Sequence, residues 1–314
     1  MFIRGYKLDI DFNEELQGYD FKKARVRGSK LQSCSPFRDE DNPSFAVNLE
    51  TGTWVDSGAS DEHYRKGHFL MLLAFLREET VSDAEDYLLS KYRIGSLDID
   101  TPELKLDFEQ KKTNKRIFTI DEISAYMVRH PYLRDRGISE QIQRYFRVGY
   151  DKENKAITIC WYDKNGNIVN IKYRSVKDKR FWYHKEGQPI KQHLFGLSIV
   201  QKKGIKQVYA VESETDAMYI MSQGKAAIAF GGASMSSKQK ELILGSSIES
   251  IIIATDNDIA GQRFRSQLIN EFSGLIDLKE IYIPERFKDI NEIQSKLVVN
   301  VLDKYESIDL HIVA

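Results

Sequence analysis

The chain has 314 residues, a length that allows roughly two or three domains. Hydrophobic residues make up 41% of the sequence and aromatic residues 11%, which excludes an intrinsically disordered chain. The formal net charge of −1 excludes a uniformly basic nucleic-acid-binding protein, although it leaves room for a local basic surface.

Residues 1–93 are predicted to form a small α+β domain. FAVNL alternates in polarity and is followed by TGTWVDSG, a pattern typical of a β-hairpin. Two helices are predicted next, in HFLMLLAFLREE, which has a helical apolar stripe, and in VSDAEDYLLSKY. The following residues, 94–116, are polar, lack periodicity and carry blocks of charge, so we interpret them as a linker.

Residues 117–203 are predicted to form a second α+β segment. Helical patterns in DEISAYMVRHPYLRDRG and SEQIQRYF precede two strands, AITICWY and NIVNIKYRSV. The turn sequence DKNGN between the strands indicates a hairpin.

A basic surface is predicted in and after this hairpin. Between Lys164 and His193, lysines and arginines greatly outnumber acidic residues, which are only Asp178 and Glu186. Aromatic residues lie among the lysines and arginines. Cations that neutralise phosphates and rings that stack on bases are typical of a single-stranded nucleic-acid groove. The alternative is a solvated strand face above buried aromatic residues. The candidate contacts are Lys172, Arg174, Lys177, Lys179, Arg180 and Lys191.

From residue 204 onward the pattern changes to alternating strands and helices. The strands QVYAVES, AAIAF, ESIIIATD and LKEIYIP are continuously apolar, and amphipathic segments separate them. This order predicts a parallel sheet covered by helices on both faces. Ligands of such sheets lie beyond the carboxyl ends of the strands, where the strand order switches.

Carboxylates follow these predicted strands. Glu212 ends the first strand, Asp256 and Asp258 end the third, and Asp289 follows the fourth. Like charges gathered at one sheet edge repel one another and favour a bound cation. Oxygen ligands without Cys or His favour Mg²⁺ or Mn²⁺, in a site for one to three ions. The alternative is that Asp256 and Asp258 only cap the helix that begins near Ile259.

The order of these acidic segments resembles the Toprim domain of bacterial-type primases, topoisomerases and some nucleases. The resemblance implies that Glu212, Asp256, Asp258 and Asp289 hold divalent metal, with Glu212, Asp256 and Asp258 as catalytic residues. Asp216 and Asn291 match supporting positions of the family motifs. Two residues depart from the pattern, because Ser213 replaces a glycine and Asn291 replaces a second aspartate in the last motif.

The preceding segments resemble the basic subdomain of DnaG-type primases. YLRDRGISEQIQRYFRVGY, the hairpin and RFWYHKEGQPIKQHLFGL follow the family order. With the Toprim domain included, the likeness spans about residues 132–291. Arg174, Lys179 and Lys191 match the family's basic positions best. In that family, a basic cleft between the two subdomains follows template DNA and growing RNA.

The first domain resembles the zinc ribbon of the same primases, but without its zinc ligands. Cys34, Pro36, Phe37 and Gly67 match, whereas Arg38 stands where the family has a histidine and TWVDSGA where it has paired cysteines. A structural zinc site needs four ligands, so no zinc is expected. We interpret the packing of Trp54, Phe37, Phe45 and the following helix as the replacement for the metal.

The resemblance implies a primase that makes short RNA primers on single-stranded DNA from nucleoside triphosphates. Two alternatives stay open: a Toprim nuclease or topoisomerase, and a catalytically idle DNA-binding recruiter in a replication complex. No G-x-x-x-x-G-K-[ST] motif occurs, which argues against a fused helicase and against an ATPase-fused nuclease.

The setting expected from these features is the cytoplasm. Cys34 and Cys160 are the only cysteines, the start of the chain becomes charged too early for a signal peptide, and no apolar stretch is long enough to cross a membrane. The expected partners are template DNA, RNA primer, nucleoside triphosphates and a replicative helicase in trans. The tail after Asp289 is predicted to form one helix and a strand. A short chain with a degenerate zinc domain resembles the primases of phages or mobile elements.

Overall fold

Residues 1–93, 116–293 and 295–308 are described by the computed structural model, in which the chain divides into two units, residues 1–115 and 116–314. All but the last residue of the predicted linker, 94–116, lies outside the described residues. The second unit contains both the predicted basic segment and the predicted Toprim domain. None of the helices described is long and apolar enough to cross a membrane.

The first unit is built on an antiparallel sheet with the strand order β3-β4-β5-β6-β7. Its strands are β1 (Phe2–Ile3), β2 (Tyr6–Lys7), β3 (Arg25–Arg27), β4 (Lys30–Ser33), β5 (Phe45–Asn48), β6 (Thr53–Asp56) and β7 (Lys66–His68), and its helices are α1 (Phe12–Leu16), α2 (Phe69–Leu76) and α3 (Val81–Tyr92). The predicted hairpin is β5–β6 and the two predicted helices are α2 and α3, so these predictions are confirmed.

Aromatic rings fill the core of this unit. The Phe37 ring centroid lies 5.1 Å from that of Trp54 and 5.8 Å from that of Phe45. Phe75 of α2 contacts Phe37 edge-on at 4.7 Å, which connects the helix to the sheet. Gly67 is required beside Trp54, because a Cβ there would lie 2.5 Å from the indole ring. The residues expected to replace a metal by packing therefore do contact one another.

Arg38 forms an ion pair at the positions that match the family's zinc ligands. Its Nη1 and Nη2 atoms donate to both carboxylate oxygens of Asp56, at 2.6 and 2.8 Å. Asp56 is fully buried and lies in the segment that replaces the paired cysteines. Glu40 and Ser44 also accept from Arg38, so the guanidinium has several partners.

The second unit begins with short helices and an antiparallel sheet of order β11-β10-β9-β8. These elements are α4 (Ile120–Ser124), α5 (Tyr132–Asp135), α6 (Glu140–Tyr145), β8 (Gly149–Asp151), β9 (Ala156–Tyr162), β10 (Ile168–Ser175) and β11 (Phe181–Tyr183). The predicted hairpin is β9–β10 and is confirmed. Both strands are buried along nearly their whole length, so this sheet has little solvated strand face.

The remaining residues form a sheet of order β13-β12-β14-β15-β16, parallel except for β16. The elements are α7 (Leu197–Lys203), β12 (Gln207–Val211), α8 (Glu214–Ser222), β13 (Ala227–Ala229), α9 (Ser237–Leu244), β14 (Ser250–Ile253), α10 (Ile259–Phe272), β15 (Asp277–Ile281), α11 (Ser295–Leu302) and β16 (Tyr305–Ser307). One face packs against α8 and α11, and the other against α7, α9 and α10. The predicted α/β fold with helices on both faces is confirmed, and the tail adds the expected helix and strand.

Candidate metal centre and nucleic-acid surface

Glu212 and Asp256 lie side by side because their strands are neighbours. β12 pairs with both β13 and β14, so the strand order switches at β12. Glu212 directly follows β12, and Asp256 lies just beyond the end of β14. The backbone N–H of Asp256 donates to Oε1 of Glu212 at 3.2 Å. The structure therefore brings these two carboxylates together at the carboxyl edge of the sheet.

Hydrogen bonds fix the backbone at Glu212 and at the residue that follows it. Its carbonyl oxygen accepts from the N–H groups of Gly231 and Gly232, both at 3.0 Å. Both glycines have positive φ, which suits residues without a Cβ. After Glu212, the Ser213 hydroxyl accepts from the N–H of Asp216 at 3.3 Å and donates to the Asp216 carboxylate. Ser213, which replaces the family's glycine, is thus the N-cap of α8.

Asp258 caps a helix, as the alternative interpretation required, but Asp256 does not act as the cap. Oδ1 of Asp258 accepts from the N–H of Gly261 at 2.9 Å, at the start of α10. Gly261 is needed there because a Cβ would lie 2.1 Å from the carbonyl oxygen of Asp256. Oδ2 of Asp258 lies 3.2 Å from Nζ of Lys288.

Asp289 and Asn291 lie in the segment after β15. Oδ1 of Asp289 accepts from the N–H of Glu292 at 2.9 Å, which caps a single 3₁₀ turn. The Asn291 amide donates to the carbonyl oxygen of Arg136 at 3.1 Å. Asn291 thus connects the last acidic segment to the chain just after α5.

The carboxylates interact electrostatically. Burial and the negative charges of Glu212, Asp216 and Asp289 raise the pKa of Asp256 to about 10. Burial also raises the pKa of Asp289. Hard oxygen donors that repel one another suit a divalent cation. Within the described residues, no three His, Cys, Asp or Glu side chains form a ready-made metal site.

Sequence reasoning missed Lys288. Its ammonium lies 3.2 Å from Asp258 and 4.0 Å from Asp256, and its side chain is more than half exposed. These two carboxylates hold the pKa of Lys288 above its usual value although burial opposes the shift. Its position immediately before Asp289 was the available signal, since a lysine next to an acidic motif can act as its counter-charge.

Four of the basic residues predicted to contact nucleic acid are exposed or half-buried. Lys177 and Lys179 are exposed in the turn between β10 and β11. Arg174 is half-buried, with its Nε 3.3 Å from the hydroxyl of Tyr132. Arg180 forms an ion pair with Asp178 at 2.9 Å. These residues lie on or next to one hairpin.

Lys172 and Lys191 are buried, which corrects the expectation that they lie on the basic surface. Lys172 is 1% exposed, and its Nζ pairs with Oε2 of Glu214 at 2.9 Å. Lys191 is 7% exposed and donates to the carbonyl oxygens of Phe230 and Ser234. The charges along the chain indicated a basic segment, but the sequence pattern did not show which of its side chains point into the core.

Comparison with known proteins supports the assignment of the fold. A Toprim-like family model matches residues 209–294. The zinc-binding and RNA polymerase domains of the Aquifex aeolicus primase match with 18% identity and a TM-score of 0.50, over 96% of this chain and 84% of that chain. The primase fragment of the bacteriophage T7 primase-helicase protein matches with 23% identity and a TM-score of 0.48, over 61% and 80%. No curated protein matches the sequence.

These matches agree with the resemblance that the sequence motifs indicated. The Toprim-like match begins in β12 and extends past Asp289, so it contains Glu212, Asp256, Asp258 and Asp289. The primase match extends over both units of the chain. The chain therefore carries a Toprim-like domain, and its fold is similar to that of a bacterial primase.

Proposed function

We propose that this protein is a DNA primase that makes short RNA primers on a single-stranded DNA template from nucleoside triphosphates. One observation carries the proposal. The backbone N–H of Asp256 donates to the carboxylate of Glu212, so acidic residues that follow two adjacent parallel strands lie together, and burial with the surrounding negative charge raises the pKa of Asp256. Such a site is typical of metal-dependent phosphoryl or nucleotidyl transfer.

The proposed ligands of Mg²⁺ or Mn²⁺ are Glu212, Asp256, Asp258 and Asp289. Bound cations would neutralise triphosphate charge and favour attack by the primer 3′-hydroxyl with loss of pyrophosphate. Asp216, which hydrogen-bonds with Ser213, and Asn291, which binds the backbone of Arg136, hold the neighbouring segments in position. Asp256, whose pKa is raised, would release its proton to solvent as a cation binds.

The proposed DNA contacts are Arg174, Lys177, Lys179 and Arg180. They lie in and beside the β10–β11 turn, where exposed cations can neutralise phosphates. Tyr183 and Trp182 are half-buried in β11 and offer rings close to these cations. Lys172 and Lys191 are left out of this surface because their ammonium groups are bound inside the fold.

The proposed setting is DNA replication in the cytoplasm, at the replication fork. The proposed partner is a replicative helicase that acts in trans, as part of a primosome. We propose a phage or mobile-element origin because Arg38 and the segment TWVDSGA stand where the family has a histidine and paired cysteines.

The test is a primer-synthesis assay on circular single-stranded DNA with nucleoside triphosphates and Mg²⁺, run beside a nicking assay. The unaltered protein should make short RNA without nicking DNA. Asp256→Ala should abolish synthesis, whereas Asp121→Ala, at an exposed carboxylate in α4, should leave it unchanged. Synthesis by Asp256→Ala at the normal rate would refute the metal site.

A catalytically idle recruiter is the second candidate, and two observations favour it. Lys288 already provides a positive charge beside Asp256 and Asp258. The described carboxylates also do not form a three-ligand group as they stand. Binding of single-stranded DNA with neither synthesis nor nicking, in Mg²⁺ and in Mn²⁺, would support this candidate over the primase.

A further inference from the structure

A pocket of about 400 Å³ lies at the amino-terminal edge of the parallel sheet, lined by residues of α6, α7, the end of α8 and the start of β13. Ala226 and Ala227 line it at the amino end of β13. Gly231 and Gly232, beyond the carboxyl end of the same strand, bind the backbone of Glu212. The pocket and the proposed metal ligands therefore lie at opposite ends of the strands, and the function proposed above gives the pocket no role.

Most of the pocket lining is apolar, with one partly exposed aromatic ring. The apolar side chains come from three helices and the residues after them: Ile142, Ile199, Val200, Ile205 and Met221. Tyr145 also lines the pocket and is 46% exposed. Tyrosine is enriched at protein interfaces because it combines an apolar ring with a polar hydroxyl group. The lining thus suits an aliphatic or aromatic side chain of a ligand.

The charged residues of the lining are basic. Among the described residues that line the pocket, Lys203 and Lys225 carry charge and none is Asp or Glu. Lys225 pairs with Asp303, which is not part of the lining. Lys203 is exposed at the end of α7 and forms no ion pair with any residue that the structure describes. An exposed ammonium group beside apolar side chains favours a ligand that also carries a carboxylate.

Contacts within the fold already hold the walls of the pocket in place. The backbone N–H of Ser139 donates to Oγ of Ser222 at 2.9 Å, which connects the start of α6 to the end of α8. Gly196, where α7 begins, has a φ of +85°, and a Cβ there would lie 2.5 Å from the carbonyl oxygen of Ala227. A preformed pocket loses little conformational entropy when a ligand binds.

We propose that this pocket binds a segment of a partner protein in which an aliphatic or aromatic side chain lies next to Asp or Glu. The apolar side chain would contact the lining beside Tyr145, and the carboxylate would pair with Lys203. A nucleic-acid strand fits less well, because its phosphates need a row of cations rather than a mainly apolar lining. The proposal does not depend on primase activity, since no proposed metal ligand lines the pocket.

The experiment first measures binding of the fluorescently labelled full chain to an array of hexapeptides. Each peptide has a pair of apolar or aromatic residues, and its other positions are all acidic, all serine or all lysine. The acidic peptides should bind best and the lysine peptides least. The acidic peptide that binds best is then measured in solution by fluorescence anisotropy, where high salt should weaken binding because Lys203 is exposed.

Variants of the pocket show whether the peptide binds there. Tyr145→Ala should weaken peptide binding by about 5- to 30-fold, the range for loss of an important interface contact. Lys203→Glu should weaken it at low salt, and this difference should shrink at high salt. The matched controls are Tyr282→Ala and Lys152→Glu, at exposed residues outside the lining, and they should bind normally. Circular dichroism melting curves show whether each variant is folded.

The proposal falls if no acidic peptide binds, or if both pocket variants bind it like the unaltered protein. Weaker binding of a single-stranded DNA oligonucleotide by these variants, with peptide binding unchanged, would overturn it in favour of a nucleic-acid contact. Self-association in sedimentation experiments that Tyr145→Ala abolishes would overturn it in favour of an interface between copies of this chain. Primer synthesis is tested separately, so synthesis without peptide binding refutes only the pocket, and peptide binding without synthesis refutes only the primase assignment.

Discussion

Asp256 carries a cost in stability in the absence of a cation. Its pKa is raised to about 10, so ionisation of this carboxyl group destabilises the folded chain. The folded state binds the proton more tightly than the unfolded state, whose pKa is about 4. Stability is therefore greatest at low pH with respect to this group, and it is lost as the pH rises from about 4 towards about 10.

Asp256→Asn should accordingly make the metal-free protein more stable at pH 8, because the amide cannot ionise. The gain should shrink at pH 5, because that pH is only slightly above the unfolded-state pKa of about 4, so ionisation of Asp256 in the unfolded state has cost the fold little stability there. Mg²⁺ should raise the melting temperature of the unaltered protein and have a smaller effect on the variant. Thermal melts at both pH values, with EDTA or Mg²⁺, measure all three effects. An equal gain at pH 5 and pH 8 would contradict the argument.

Residue identity alone predicted the carboxylates but not how each is used. Glu212 and Asp256 were expected together because both end strands of one parallel sheet, and the hydrogen bond between them agrees with this. One carboxylate oxygen of Asp258 accepts a hydrogen bond at the start of α10, and the other lies beside the ammonium group of Lys288. Whether Asp258 meets Lys288 depends on the path of the loop after β15, and no local sequence pattern specifies that path.

A buried ion pair connects β10 of the antiparallel sheet to α8, the helix that packs on the parallel sheet of the second unit. Lys172 of β10 and Glu214 of α8 are 1% and 2% exposed, and their charged atoms are 2.9 Å apart. The indole N–H of Trp161 donates to the other oxygen of Glu214 at 2.8 Å. Glu214 begins α8 directly after Ser213 and Glu212, so this pair fixes the start of that helix relative to β10.

Lys172→Met should destabilise the protein by about 3–5 kcal/mol, because it leaves Glu214 charged, buried and without its cation. Lys172→Met combined with Glu214→Leu should recover most of that loss, since no buried charge is left. Urea denaturation of the single and double variants measures both. The matched control is Lys225→Met, whose partner Asp303 is exposed; it should cost less than about 1 kcal/mol. A double variant as unstable as the single one would contradict this account.

Elements were easier to predict than their exposure. Hydrophobic alternation and the DKNGN turn predicted β9 and β10, and the structure confirms both. The same pattern suggested a basic outer face, but β10 is buried along most of its length. A strand covered on both sides can contain a lysine only if a carboxylate from elsewhere pairs with it, and Glu214 is 42 residues away in sequence.

At the scale of the whole molecule, the two units have separate cores. The aromatic core around Phe37 and Trp54 belongs to residues 1–92, and the cores around the two sheets of the second unit lie after residue 117. Arg38 and Asp56 form an ion pair in the first unit. Burial opposes ionisation of Asp56, but hydrogen bonds from Arg38 and Ser35 hold its pKa below the usual value.

Asp56→Asn should therefore lower the stability of the first unit and leave the second unchanged. Removing one partner leaves Arg38 with fewer acceptors beside a fully buried position. The cost should fall as the pH is lowered through the depressed pKa of Asp56, because protonation removes the same charge from the unaltered protein. Hydrogen exchange read separately over residues 1–93 and 116–293 shows which unit is affected.

EDTA should leave protection of the first unit unchanged in the unaltered protein, since the ion pair and the aromatic core, rather than a metal, stabilise it. Loss of protection there on adding EDTA, with zinc released, would show instead that the unit holds a metal.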